Sequence, residues 1–588
     1  MITHKDIKDF FDYDAEASKT KWDNLMNLSL EERIRKRKTI QNVFLDKQFE
    51  KYSIENKRQI KLTFTDNLSD FKVGSRILLH HEHSLNGISC EIVDFEDENT
   101  IIAEIFHSDI PSDWNIYYEC ALLLDETYVD LRQNVFYNFL HCLTNDKDYW
   151  KESILNTKKA PTFAEKDEYS EELDDTIKNF NLSLLPKQRE AILNSMLADD
   201  YYLIQGPPGT GKSFVLGIII LEELLYFNHK VIIIGPNHMA INNTLSQAFK
   251  LMPYENILKI GQKYNAPTIT QMIDDNELSI FNCEKASWVT INDVDLYSTT
   301  KPLAIGLYPY CLYTSRAQGL ECDTLIIDEA GQMTIPLALM GMIKAKKVIF
   351  AGDHKQLPPI ITSDEIPEIM RQSIFQRLKT DENCTLLNTS FRMCKTICKF
   401  VSEIFYDNKI ESIKQEDGSL LICDNPLYSF DTPIVFQHIN DDGKQTSDKE
   451  AEFISNTIIN YINLGISPED IAVLSPFRAQ IANIKRHLRK TKSLDDDVLN
   501  RIAIDTIDKM QGQEREIIFL TLVSGDIEYM TEMADFLYNP NKLNVAFSRA
   551  KSKLIIVGNI ETLKQIDRCN FPHIHKMLES EYIHIIKK

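Results

Sequence analysis

"YYLIQGPPGTGKSFVLGIIILEELLYF" occupies residues 201–227. A short apolar run, a loop of glycine and proline with one lysine, and a longer apolar run follow one another. Such an order predicts strand, turn and helix. Gly206, Gly211, Lys212 and Ser213 fit the spacing G-x-x-x-x-G-K-[ST]. Glycines let the backbone curl so that successive N–H groups point at one anion. The positive end of the following helix adds to that pull. Pro207, Pro208, Gly209 and Thr210 complete the loop. Lys212 is placed to reach the outer phosphates of a nucleotide, and Ser213 to ligate Mg²⁺.

Further stretches answer this loop. "TLIIDEA" (324–330) ends a predicted strand on Asp328, which suits Mg²⁺ held through water, and on Glu329, which suits a general base for water. "AGDHKQLPP" (351–359) ends the next strand, where Gln356 is able to sense the γ-phosphate and Asp353 or His354 to cap the loop. In "LLPKQREAI" (184–192) the Gln188 amide has the donor–acceptor pair that reads adenine. A surface glutamine on a helix is the plainer reading of that residue.

The chain of 588 residues is too long for one core, which predicts several domains. It is 43% hydrophobic and 26% charged, as in soluble globular proteins. The longest apolar run, Phe214–Leu221, stops at Glu222 and Glu223, short of a membrane span. The opening "MITHKDIKDFFDYDAE" lacks a basic-then-apolar leader. Eleven scattered cysteines suit reduced thiols, and Cys394 and Cys398 read as buried helix thiols. An intracellular, cytoplasmic chain is expected, with no membrane partner. The net charge of −22 argues against polyanion binding unless basic residues are concentrated locally.

The order of elements predicts an α/β protein built from two tandem parallel sheets. Residues 1–58 read as a helical region, with a capping box, Ser29 and Glu32, opening a basic helix in "LSLEERIRKRKTI" (28–40). Residues 59–125 hold short β-type runs and read as a small barrel, and 126–180 as a helix followed by an acidic linker. "YYLIQ", "KVIIIGP", "DTLIIDE" and "KVIFAGD" read as buried parallel strands of a first sheet domain over 181–380. Residues 251–315 read as an insertion into it. "TPIVFQH", "DIAVLSPF", "NRIAIDTID", "REIIFLTLV" and "KLIIVGN" build a second sheet over 381–588, without a phosphate loop of its own.

"GPPGTGKS", "DEAGQ", "GDHKQLPP", "LNTSFRM", "TIDKMQGQEREIIFL" and "LNVAFSRAKSKLIIVGN" follow one another in the order of the motifs of superfamily 1 helicases. The chain most resembles subgroup B, the branch of the nonsense-mediated-decay helicase, senataxin and the immunoglobulin mu-binding helicase. The resemblance covers about residues 180–565 and extends weakly into the N-terminal stalk and barrel. It implies two RecA-like lobes with ATP and Mg²⁺ between them. It casts Arg392 and Arg549 as arginine fingers, Phe391 as the ring on adenine in place of the branch's usual tyrosine, and Glu514 as a contact near the ribose. A salt bridge between lobes is the other reading of each arginine, and a core aromatic that of Phe391. Gln332 also fits the pattern.

The resemblance further implies single-stranded DNA or RNA running across both lobes. Pro236, Asn237, Thr314, Pro476, Arg478 and Thr506 stand where phosphate contacts are made. His238 and the run "KRHLRK" (485–490) lie on the same expected path, or on a plain surface. The activity implied is an ATP-dependent helicase or translocase travelling 5′→3′. The alternative is an ATP-gated clamp or remodeller that unwinds little.

Overall fold

The computed structural model describes the chain except residues 47–48, 50, 53–57, 66–68, 70, 72–74, 82–83, 98, 106–121, 128–134, 146–149, 253–256, 261–301, 315–316, 318, 415–420, 422, 492–493, 511, 524 and 588. It is a mixed α/β protein with two parallel sheets flanked by helices and a closed antiparallel barrel near the N-terminus.

The chain opens on helix His4–Met26, capped reciprocally by Thr3 and Asp6. The expected capping box of Ser29 and Glu32 starts helix Leu30–Arg35. The predicted basic helix goes no further. Arg37 takes φ +59°, Lys38 N–H bonds back to Arg33 O (3.1 Å), and Thr39–Leu45 becomes a strand. The barrel therefore begins within the region read as helical. Its strands run Thr39–Leu45, Leu122–Glu126, Arg76–His81, Ser84–Asp97, Thr100–Ile105 and Arg58–Thr63 around the wall, and the last pairs back with the first. Closure leaves these strands no free edge. Alternate side chains (Val43, Leu62, Leu79, Ile92, Ala103, Leu124) fill the interior. At the barrel wall, Arg33, His80 and Thr39 all hydrogen-bond the buried Asp125 carboxylate, which ties helix Leu30–Arg35 to the strands.

The first lobe carries seven parallel strands in the order Ile257–Lys259, Leu303–Gly306, Lys230–Ile234, Cys322–Ile327, Ala345–Gly352, Tyr201–Gln205, Cys384–Leu386. Side chains alternate between its two faces. Ile232, Ile234, Leu325 and Phe350 pack on one, Val231, Ile233, Ile326 and Ile349 on the other. Burial on both faces is why these strands read as unbroken apolar runs. Two of the seven come from the stretch read as an insertion: Ile257–Lys259 and Leu303–Gly306 extend the sheet, and the rest of that stretch up to residue 301 lies mostly outside the described residues. The last strand, Cys384–Leu386, crosses the boundary expected at 380.

The N-terminal helices are rooted in this lobe. Phe11 stacks on Phe136 (3.9 Å between centroids), and Phe139 meets Tyr313 edge-on (5.4 Å). The segment read as a linker is also packed: Trp150, Ile154 and Leu155 are buried under one face of the sheet, Tyr169 and Leu173 under the other.

The second lobe has six parallel strands in the order Ala503–Thr506, Ile471–Ser475, Arg515–Thr521, Ala550–Gly558, Ile434–His438, His584–Ile586. Cys394 and Cys398 are buried at the start of helix Lys395–Phe405, and burial pushes the Cys398 thiol up to about 12. Among the described residues, no helix is long and apolar enough to cross a membrane.

Candidate active site

The loop after strand Tyr201–Gln205 turns on Gly209 (φ +73°) and Gly211 (φ +80°), a backbone region that side chains disfavour. Gly206 N–H is tied to Gly352 O at the end of the neighbouring strand (2.9 Å), and Thr210 Oγ1 donates to Pro207 O (2.8 Å). Gly211 then caps helix Lys212–Leu225, which opens on Lys212 and Ser213. The first N–H groups of a helix have no partner within it and face the loop's concave side. Gln188 is buried below. Its Nε2 donates to Thr210 O (3.1 Å) and its Oε1 accepts from Leu185 N (3.1 Å). A Cβ on Gly211 would lie 2.8 Å from Gln188 Nε2 and 3.9 Å from Phe391 Cε2, so loop, amide and ring share one corner.

Lys212 Nζ lies 2.8 Å from Asp328 Oδ1 and 2.6 Å from Glu329 Oε1. Burial works against the ammonium, but the two carboxylates outweigh it and hold its pKa above the usual lysine value. Burial likewise opposes the Glu329 carboxylate. Lys212, Gln332 (Nε2 to Oε2, 3.0 Å) and the Arg549 charge override it and keep the group below the usual range. Asp328 is fixed through Thr244 Oγ1 (2.7 Å) and the Glu329 N–H (2.8 Å). Glu329 itself takes φ +54°, a strained backbone for a glutamate, of a kind found where side-chain direction matters more than local stability.

The second lobe closes this site from the other side. Phe391 N–H donates to Gly209 O (2.8 Å) and Ser390 Oγ to Pro208 O (3.0 Å). A Cβ on Gly209 would stand 2.5 Å from the Cβ of Arg392, so only glycine permits this approach. The Phe391 ring remains 43% exposed. Arg392 Nε donates to Glu514 (2.5 Å), which also meets Lys551 (3.2 Å). Arg549 is 2% exposed and reaches across to Gln356 Oε1 (3.4 Å). Burial, and then the neighbouring Arg392 charge, push its pKa down to about 9.

The loop 353–356 is itself held by both lobes. Asp353 accepts from Gln205 Nε2 (3.1 Å), Gln356 Nε2 (3.1 Å) and the Tyr406 hydroxyl (2.5 Å). Asp353 also takes the Lys355 N–H (3.1 Å), the loop-capping role open to it in the sequence. His354 stacks on Phe375, and burial pushes its pKa down to about 4.

Lys212, Asp328, Glu329, Gln356, Arg392 and Arg549 thus converge, with Gln188, residues 206–213, Phe391 and Glu514 around them. The positions expected to face a nucleic acid fall into two groups. Pro236–Asn237 and Thr314 follow adjacent strands of the first lobe, while Pro476, Arg478 and Thr506 follow or end adjacent strands of the second. Several of their polar atoms already serve local structure. Asn237 caps helix His238–Leu251 through Ala240 N (2.9 Å), and Thr314 Oγ1 donates to Cys311 O (2.9 Å). Burial, with the Lys259 charge, pushes His238 down to about 4, leaving it neutral at pH 7. Of the run 485–490, Arg486 and His487 pair with Asp448. A cleft of about 1330 Å³ brings Arg478 together with Trp22, Lys21, Lys36 and Lys38 of the N-terminal region. Tyr406, Asn544, Thr244 and Ser390 have structural parts in the site that sequence reading missed, because each acts through hydrogen bonds to distant segments.

Two AAA-domain families match the chain, one over residues 183–285 and 313–364, the other over 370–561. The chain is similar to DNA polymerase alpha-associated DNA helicase A of Schizosaccharomyces pombe, 26% identical over 516 residues that cover 78% of this chain and 74% of that protein. It is also similar to the DNA replication ATP-dependent helicase/nuclease DNA2 of Mus musculus, 25% identical, over 66% of this chain but only 38% of that protein. Among solved structures, the arterivirus nonstructural protein 10 helicase matches at 13% identity and a TM-score of 0.37, over 86% of this chain and 77% of that one.

Proposed function

The chain belongs to the superfamily 1 helicases, ATP-hydrolysing enzymes that act on nucleic acids, and from that premise we propose a subgroup B motor that moves 5′→3′ along single strands. One observation carries the reading. The phosphate loop of one lobe is hydrogen-bonded to the Ser390–Phe391 segment of the other, with Arg549 beside Gln356 on the far side of the cleft.

In this reading the loop and Lys212 hold the β- and γ-phosphates of ATP. Engagement of Lys212 with phosphate releases Glu329, which is already ionised, to take a proton from the attacking water. Gln356 orients that water. Arg392 and Arg549 stabilise charge on the transferred phosphoryl oxygens as the lobes close. Phe391 and Gln188 hold the adenine, with Glu514 near the ribose. Ser213 and Asp328 suit Mg²⁺, both being hard oxygen ligands at the mouth of the loop, and the ion would neutralise charge between the outer phosphates. Opening and closing of the cleft then shifts the grip on the strand.

The strand passes Pro236, Asn237 and Thr314 on one lobe and Pro476, Arg478 and Thr506 on the other. Lys21, Lys36, Lys38 and Arg478, with the Tyr13 and Trp22 rings, support this path although Glu16, Asp364 and Glu365 line the same cleft, since phosphates need cations and unpaired bases need stacking surfaces. Relatives named as DNA helicases favour DNA over RNA. Free thiols at the nine described cysteines suit a reducing, intracellular setting. The test is ATP turnover with and without single-stranded DNA and RNA, followed by strand displacement from 5′- and 3′-tailed duplexes. Turnover indifferent to either nucleic acid, or unwinding only of 3′-tailed substrates, overturns the respective part.

A further inference from the structure

Helix Lys395–Phe405 of the second lobe ends at Tyr406, and the next two residues, Asp407 and Asn408, both take positive φ (+52° and +59°). The Tyr406 side chain lies at the domain interface, where it is 4% exposed and packs with the second-lobe core. Its hydroxyl donates to Asp353 Oδ2 of the first lobe (2.5 Å) and accepts from Asn544 Nδ2 of the second (2.8 Å).

These bonds form part of a circuit. Asp353 Oδ2 also accepts from Gln356 Nε2 (3.1 Å), whose Oε1 accepts from Arg549 (3.4 Å). Asn544 lies on helix Pro540–Phe547, just ahead of Arg549, and donates again to Lys355 O (2.7 Å). The same first-lobe loop is therefore bonded to the second lobe at several points: Gln356 by Arg549, Asp353 by Tyr406, Lys355 O by Asn544, and the His354 and Gln356 carbonyls by Asn541.

We propose that Tyr406 is a positioning residue that couples the two lobes, its hydroxyl setting the 353–356 loop so that Gln356 and Arg549 meet over the bound phosphate. The inference rests on the ATPase reading of the site. A phenolic hydroxyl suits this role because it donates to a buried carboxylate while accepting from an amide. Neither partner can then move alone without leaving a buried polar group unsatisfied. The hydrogen bonds of Tyr406 run to Asp353 and Asn544 rather than to the phosphate loop, so its loss should act on turnover more than on binding.

Tyr406→Phe keeps the ring and deletes the hydroxyl. Wild type is first measured with saturating dT-only oligonucleotide; absence of any ATP turnover there rejects the ATPase reading itself, and absence of stimulation the single-stranded DNA part of it. With stimulation in hand, the variant should lose kcat by about ten- to a hundredfold, the scale of one hydrogen bond to a charged group. Its KM for ATP and its oligonucleotide affinity should stay within about threefold of wild type, and its melting temperature close to it. Turnover within twofold of wild type overturns the proposal. So does a loss matched by weaker ATP or oligonucleotide binding, or one accounted for by the unfolded fraction in thermal melts.

Discussion

Arg549 of the second lobe donates a hydrogen bond to Gln356 of the first, although 193 residues separate them in sequence. The guanidinium is buried, flanked by Arg392, and within electrostatic reach of Glu329. A buried cation next to a second cation is costly unless something anionic comes to it. In the proposed reading, a triphosphate between the lobes supplies that charge.

Lys212 is the hub of the first-lobe site. Lys212→Ala leaves the buried Asp328 and the half-buried Glu329 without their cation, so stability should fall by about 3 kcal/mol. ATP turnover should vanish with it. Thermal melts and a phosphate-release assay check both, and an active variant would remove Lys212 from the site.

Glu329→Gln keeps the shape of the side chain and loses the base. Lys212 still pairs with Asp328, so the fold and ATP binding should persist. Single-turnover hydrolysis should drop by roughly 10²–10⁴-fold. A drop below tenfold would assign the base to another group.

The Phe391 ring is exposed while its N–H holds Gly209. Phe391→Ala should therefore leave the loop contact intact and cost only the stacking surface. KM for ATP should rise about tenfold with kcat within threefold, and Phe391→Tyr should match wild type. An unchanged KM in the alanine variant would make Phe391 an ordinary packing residue.

Glu450 is buried in the second lobe, accepting from Thr521 Oγ1 (2.5 Å) and Val523 N (3.3 Å). Burial raises its pKa from 4.5 to about 8. The folded state then binds more protons than the unfolded one between those two values, so the contribution of this group to stability declines as pH rises through that window. Glu450→Gln, which mimics the protonated acid, should melt several degrees higher than wild type at pH 8.5 and match it near pH 4.5. Parallel melting curves across that range would refute the shift.

Much of this was legible in the sequence because the phosphate loop, the Asp328–Glu329 pair and the arginines lie in short contiguous motifs. The apolar strands "KVIII" and "TLII" announce a sheet covered on both faces for the same reason. The rest depends on long-range contacts. Thr39–Leu45 is hidden behind a basic run, and the helix before it ends at Arg35, the chain turning at Arg37 with no glycine to mark the turn. Leu303–Gly306 is four residues long and becomes a strand between Lys230–Ile234 and Ile257–Lys259, both of which pair with it. Tyr406 looks like a core aromatic until Asp353, 53 residues earlier, is brought to its hydroxyl.

One ATP held by the first lobe and neutralised by the second is the arrangement proposed for the cleft. Steady-state turnover of Arg549→Ala with saturating single-stranded DNA tests it most directly, alongside binding of a non-hydrolysable ATP analogue. Analogue binding should stay within a few fold of wild type, with turnover lower by roughly a thousandfold or more. Undiminished turnover in that variant would contradict it.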